Sequence, residues 1–172
     1  MGNVTLLIGG ARSGKSALAV DIGRRYDGDV VFIATAEPFD DDMRERIDRH
    51  RLDRPEWPTI EVPLNLGATI AEARGDALLI VDCITVWIGN ELHHDGVVDA
   101  DAVVAALGER RGPSVVITNE VGLGVHPETE LGRRYRDDLG RVNQAIAAAA
   151  ATTLLMVAGK ALRLNDPWKE LT

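Results

Sequence analysis

The residues of this chain best placed to do chemistry are Lys15 and Ser16. They close the run Gly9-Gly10-Ala11-Arg12-Ser13-Gly14-Lys15-Ser16, which fits G-x-x-x-x-G-K-[ST] without a mismatch. Gly9 and Gly14 carry no Cβ, so the backbone between them can curl and aim successive N–H groups at a phosphate. A helix opening near Gly14 adds its unpaired N–H groups and the positive end of its dipole. Lys15 is expected to reach the β- and γ-phosphates of a nucleotide, and the Ser16 hydroxyl to ligate Mg²⁺. Arg12 can add charge near the γ-phosphate, and the loop lysine is expected to be exposed when no nucleotide is bound. Asp82 is the second candidate. It ends the apolar stretch A-L-L-I-V-D and so resembles a Walker-B acid that reaches Mg²⁺ directly or through water. The alternative is a cap on the helix that follows. His93 and His94 are adjacent, cannot share a helix face and have no third ligand near in sequence, so they read as surface residues.

These residues need a sheet to hold them. Val4 to Ile8 is a short apolar run suited to a buried strand, and Ala17 to Tyr26 continues the helix after the loop, with Leu18 and Ile22 inward. Asp27-Gly28-Asp29 ends that helix, and Val30 to Ala34 makes a second strand. Strand, helix, strand is a right-handed crossover, so the sheet is expected to be largely parallel. Thr35 to Phe39 is a loop. Asp40 to Arg54 is a charged helix whose acids Asp40, Asp41 and Asp42 come first and whose arginines come later, as the helix dipole prefers, with Met43, Ile47 and His50 on one face. Pro55, Pro58 and Pro63 impose an extended passage in which Thr59 to Val62 is a candidate edge strand.

Leu66 to Arg74 is expected to be a short helix, and Ala77 to Cys83 a buried strand. Ile84, Trp87, Ile88 and Leu92 form a helical core stripe. Asp99 can cap a helix with Val103 and Leu107 inward, and Gly112-Pro113 stops it. Ser114 to Thr118 is another strand, delivering Asn119-Glu120-Val121-Gly122-Leu123-Gly124 to the crevice where an open parallel sheet places ligands. Glu128 to Ala151 is the longest helix, with Leu131, Tyr135, Leu139, Val142 and Ile146 spaced by three and four. Leu154 to Ala158 is a strand, Leu162 to Leu164 a candidate edge, and Asn165 to Thr172 a tail. The fold class expected is α/β: one P-loop domain over 1–172, a mostly parallel sheet with helices on both faces.

Composition narrows the class. A chain of 172 residues is sized for one domain, and 45% hydrophobic residues with only 4% aromatics rest the core on Val, Ile, Leu and Ala. A net charge of -8 argues against a nucleic-acid or anionic-membrane surface, so any basic site must be local. The single cysteine, Cys83, suits a reducing cytoplasm and provides neither a disulfide nor a zinc cluster. No signal peptide or membrane span is expected.

Several segments together resemble one family. They are G-G-A-R-S-G-K-S at 9–16, I-A-T-A at 33–36, R-I-D-R-H-R-L-D-R-P at 46–55, D-C-I-T-V-W at 82–87, T-N-E-V-G-L-G-V-H-P at 118–127 and R-R-Y-R-D-D-L-G-R-V-N-Q at 133–144. The family is the bifunctional adenosylcobinamide kinase and adenosylcobinamide-phosphate guanylyltransferase of cobalamin biosynthesis, with a RecA-type P-loop sheet and a trimeric assembly. The resemblance implies two reactions: phosphorylation of adenosylcobinamide by ATP or GTP, then transfer of GMP from GTP to the phosphorylated corrinoid through a guanylylated histidine, releasing pyrophosphate. By match to the motif that histidine is His50. The same match carries nucleotide contact to Gly9, Gly10, Ala11, Arg12, Ser13, Gly14, Lys15 and Ser16, to Ala34, Thr35 and Ala36, to Arg51, Leu52, Asp53 and Arg54, and to Glu61 and Asp82. The chain departs from the family at Gly159-Lys160-Ala161, where a Gly-Ile/Leu-Pro turn is common, and in the tail from Asn165.

Read from its neighbours alone, His50 lies one turn from Arg46 and Arg54, cations that would attract a phosphate and favour the neutral imidazole a nucleophile needs. The competing reading is a histidine packed on an amphipathic helix beside Met43 and Ile47. Two rival functions share the phosphate loop. A GTPase-like switch would commonly carry N-K-x-D after a late strand, where this chain has Thr118-Asn119-Glu120-Val121. A small-metabolite kinase of another pathway would use Lys15 and Asp82 and give His50 no role.

Overall fold

The computed structural model describes residues 3–39, 41–52 and 54–171, apart from the side chains of Asp42, Met43, Arg46, Asp48, Arg49, His50 and Glu170. The strands are β1 (Val4–Gly9), β2 (Val30–Ala34), β3 (Thr59–Glu61), β4 (Leu78–Asp82), β5 (Ser114–Asn119), β6 (Thr152–Val157) and β7 (Lys160–Leu164). The helices are α1 (Lys15–Arg25), α2 (Asp41–Leu52), α3 (Leu66–Glu72), α4 (Ile84–His93), α5 (Ala100–Glu109), α6 (Glu130–Ala149) and α7 (Pro167–Glu170). The strands form one sheet in the order β3-β2-β4-β5-β1-β6-β7, parallel throughout except for the antiparallel β6–β7 hairpin.

Alternation along the central strands divides the core into two layers. Leu6, Ile33, Leu79, Val81 and Val116 face the layer that also holds Leu66 and Ile70 of α3, Trp87 and Ile88 of α4, Val103 and Leu107 of α5, and Leu139, Val142 and Ile146 of α6. Leu7, Phe32, Ile80, Val115 and Ile117 face the other way, toward Ala19, Leu18 and Ile22 of α1 and toward Trp57. Strands buried on both faces read as continuous apolar runs, which is why β1, β2, β4 and β5 stand out in the sequence.

Helix starts follow local chemistry. Asp99 caps α5 by accepting from the Ala102 N–H, and Thr129 caps α6 by accepting from the Gly132 N–H. Thr59–Glu61 is an edge strand, as the prolines around it require. Leu131, the first residue of the apolar spacing along α6, is exposed, because the buried stripe of α6 begins beyond its first turn. One expectation is corrected. The segment after Asn165 holds a short helix, α7, capped by Asp166 accepting from the Trp168 N–H with Pro167 at the first position. Among the described residues no helix is long and apolar enough to cross a membrane.

Candidate functional site

The phosphate loop leaves the carboxyl end of β1 and turns directly into α1. Gly9 has φ 155°, and a Cβ there would meet the Met156 carbonyl oxygen at 2.3 Å, so no other residue fits against β6. Gly14 takes φ 99° at the start of α1, and Gly159, in the β6–β7 turn, donates its N–H to the Ser13 carbonyl at 3.0 Å. The β6–β7 turn therefore braces the loop from the β6 side.

Lys15 is buried, which corrects the expectation of an exposed lysine. Its ammonium donates to the Gly9 carbonyl at 2.9 Å, the Gly10 carbonyl at 2.7 Å and the Ser13 Oγ at 3.3 Å. The curled loop offers its own carbonyls to the charge, and the side chain folds back onto them. Burial lowers the Lys15 pKa from its ordinary range, opposed by the nearby Cys83 and Asp82. Ser13 is buried in the same cradle, while Ala11 and Arg12 are exposed on the rim, Arg12 with φ 56°.

Strand register lines up the acidic candidates. Ala34 at the end of β2 pairs with Glu61 on one side and Asp82 on the other. A groove of about 360 Å³ is lined by Ser16, Val20, Arg24, Phe32, Arg54 and Asp82. Arg54 lies with its guanidinium 4.0 Å from the centre of the Phe32 ring and donates to the Thr59 hydroxyl at 3.2 Å. Burial lowers its pKa, with Arg51 adding to the effect and Asp82 and Glu61 opposing it. Arg51 is ion-paired with Glu61. Phe32 was not a candidate from the sequence; its place under Arg54 depends on the two elements converging in space. Leu52 is exposed at the end of α2. His50 falls within α2, but its side chain and the whole of Asp53 lie outside the described residues, as do the side chains of Met43 and Arg46.

Thr35 holds the β2 end to the β4 end. It is fully buried, and its hydroxyl accepts from the Cys83 N–H and donates to the Cys83 carbonyl, both at 2.9 Å. Asn90 of α4 donates to the Thr35 carbonyl at 2.7 Å and the Pro63 carbonyl at 3.1 Å. Ala34 and Ala36 flank this latch, half-buried. A second buried network fixes the end of β5. The Thr118 hydroxyl donates to Asn143 Oδ1 at 2.7 Å, Asn143 Nδ2 donates to the Asn119 carbonyl at 3.0 Å, and the Asn119 N–H donates to the Thr85 hydroxyl at 2.7 Å. His93 and His94 are exposed, with His94 Nε2 3.1 Å from Glu37.

Ser16 and Asp82 present hard oxygen donors to one groove. Among the described residues no cluster of three or more His, Cys, Asp or Glu could cage a metal alone. That donor set suits Mg²⁺, which takes one or two protein oxygens and completes its shell with phosphates and water.

A parallel sheet whose first strand feeds a glycine loop and a helix, with an acid two strands away, defines a P-loop nucleotide-binding protein. The fold has distant counterparts. A Pyrococcus horikoshii protein known from a structural study superposes with a TM-score of 0.55 at 8% identity, over 96% of this chain and 88% of that one. An ATPase from the type III secretion system of pathogenic bacteria superposes with a TM-score of 0.54 at 12% identity, over 99% of this chain and 53% of that one. At such identities the likeness is one of fold alone.

The sequence is more specific. Residues 5–164 match the family described as cobinamide kinase / cobinamide phosphate guanyltransferase, and this chain belongs to that family. It is 43% identical to the bifunctional adenosylcobalamin biosynthesis protein CobP of Pseudomonas aeruginosa, over 93% of this chain and 96% of the relative. It is 37% identical to the CobU protein of the same description from Escherichia coli, over 93% of this chain and 98% of the relative.

Proposed function

We propose that this chain phosphorylates the aminopropanol hydroxyl of adenosylcobinamide with a nucleoside triphosphate, and then transfers GMP from GTP to the product through a guanylylated His50, giving adenosyl-GDP-cobinamide and pyrophosphate. The observation that carries the kinase half is the convergence of Lys15, Ser16 and Asp82 beyond the carboxyl ends of β1 and β4, on either side of β5, in a chain of the cobinamide kinase family. Lys15, Ser16 and the loop N–H groups bind the phosphates. On nucleotide binding the Lys15 ammonium exchanges loop carbonyls for β- and γ-phosphate oxygens, placing a cation where charge develops as the γ-phosphoryl group moves.

Ser16 and Asp82 are the residues that would hold Mg²⁺, which when bound neutralises phosphate charge. Arg54, braced on Phe32 beside the groove, and Arg51 supply guanidinium groups for phosphate or nucleoside. Family resemblance further supports a cytoplasmic homotrimer, and the acidic net charge supports a protein without a nucleic-acid partner.

The reading is tested by incubating the protein with adenosylcobinamide and γ-labelled ATP or GTP, then with unlabelled GTP. Label is expected in a phosphorylated corrinoid and then in its GDP-linked successor. Asp82→Asn and Ser16→Ala are expected to move the Mg²⁺ requirement of the first step to higher concentration. Absence of label from the corrinoid with either donor would refute the kinase half, and unchanged Mg²⁺ titrations in both variants would place the metal elsewhere.

A further inference from the structure

We propose that Glu120 is the base of the kinase step, the carboxylate that accepts the proton of the acceptor hydroxyl; the proposal rests on the kinase reading above and names a catalytic residue it does not contain. β5 lies between β1, which carries the phosphate loop, and β4, which carries Asp82. Register sets Asn119, the last residue of β5, opposite Gly9, the first glycine of the loop. Glu120 follows directly, and its N–H donates to the Gly9 carbonyl at 3.3 Å. That carbonyl is the one the Lys15 ammonium reaches at 2.9 Å, so the Glu120 backbone and the phosphate-binding cation stand within two hydrogen-bond lengths of each other. The position is rigid, because the Asn119 N–H and carbonyl are both bonded into the buried network of Thr85, Thr118 and Asn143.

The other carboxylates at this edge have partners or tasks. Glu61 is ion-paired with Arg51, Glu37 is bonded to His94, and Asp82 is assigned to the metal. Glu120, half-buried, has no cationic partner among the described residues, and its Oε1 accepts only from the Gly122 N–H two residues on. Its second oxygen is left for a substrate.

In the step, the acceptor oxygen bonds to the γ-phosphorus while the bond from that phosphorus to the β,γ-bridging oxygen breaks. The nucleoside diphosphate leaves with that electron pair. The hydroxyl proton passes to the Glu120 carboxylate and from there to water. Such a carboxylate contributes on the order of 10²–10⁴ to rate in proton-transfer catalysis, and an acid in this role is familiar from kinases of other folds.

Glu120→Gln distinguishes a base from a brace, because the amide oxygen still accepts from the Gly122 N–H but takes no proton. With adenosylcobinamide and γ-labelled GTP, the variant is expected to lose at least about 100-fold in kcat. Its affinity for a non-hydrolysable GTP analogue and its covalent labelling by α-labelled GTP should match wild type. A wild-type kinase rate in Glu120→Gln would overturn the proposal and leave the kinase reading standing. Loss of analogue binding or of GMP labelling along with the kinase rate would also overturn it, showing that the residue shapes the loop instead. A wild-type protein that cannot phosphorylate adenosylcobinamide would overturn the kinase reading and this proposal together.

Discussion

The Lys15 ammonium and the Gly9 carbonyl are 2.9 Å apart, so the cation proposed to bind a nucleotide is already held by the strand end that delivers its own loop. The contact makes Lys15 part of the loop's architecture as well as of its chemistry. Lys15→Ala is therefore expected to lower the stability of the nucleotide-free protein by about 1–2 kcal/mol, since charge-assisted bonds to loop oxygens are lost. It is also expected to reduce the kinase rate by several kcal/mol of barrier, about 10³-fold or more. Denaturant unfolding and a γ-phosphate transfer assay read the two effects. A variant that unfolds like wild type and transfers phosphate at the wild-type rate would contradict both roles.

Asn90 ties the strand ends that flank the groove. It is almost fully buried, and its amide is the donor to both the Thr35 and Pro63 carbonyls. Asn90→Ala removes that donor in a site water does not reach, with an expected cost of about 2–3 kcal/mol. Because Thr35 also holds Cys83, next to Asp82, nucleotide affinity should fall with stability. Urea titration together with nucleotide binding checks this, and a loss below about 0.5 kcal/mol would show that the latch is redundant.

Cys83 gives a pH prediction. Burial, with the neighbouring Asp82 charge second, pushes its thiol from 9.0 up to about 12. Burial likewise pushes the Tyr135 hydroxyl from 10.0 to about 12, with Cys83 adding to the shift. Both groups keep their protons to higher pH when folded than when unfolded. Their contribution to stability is thus complete below about pH 9 and is lost as pH rises toward 12. At pH 8 the native thiol should react with a disulfide reagent about a thousandfold more slowly than the urea-unfolded thiol, in proportion to its thiolate fraction. Equal rates in the two states would contradict the burial argument.

Much of the frame was legible because its causes are local. The strand Val30–Ala34 matches its apolar run residue for residue, and Asp99 caps α5 as its place before an apolar stripe implies. What was not legible depends on distant segments meeting. Lys15 is buried by carbonyls whose direction is set by the loop's path against Met156 and Gly159, more than 140 positions away in sequence. The Thr35–Asn90 bond spans 55 positions. β7 carries no burial signal, since all five of its residues are exposed; it is a strand because a turn with Ala158 at φ 50° and Gly159 at φ 72° folds it back on β6. The α7 signal, Asp166 before Pro167, was present in the sequence and is a standard helix start. Of the candidate site, the loop and Asp82 are proposed from residue types alone. The proposed guanylyl acceptor, His50, is reached only through family resemblance, because one histidine among arginines does not declare a nucleophile.

Covalent labelling is the most direct test of whether GMP passes through His50. A phosphoramidate at an imidazole nitrogen divides one displacement at phosphorus into two, and the arginines beside His50 in sequence stay protonated and cannot replace it as nucleophile. Wild-type protein incubated with α-labelled GTP and Mg²⁺, denatured and peptide-mapped, should carry label on the peptide containing His50. His50→Asn should carry none, while still phosphorylating adenosylcobinamide at the Lys15 and Asp82 site. Label retained at the wild-type level in His50→Asn would contradict a His50 intermediate and assign the nucleophile to another residue.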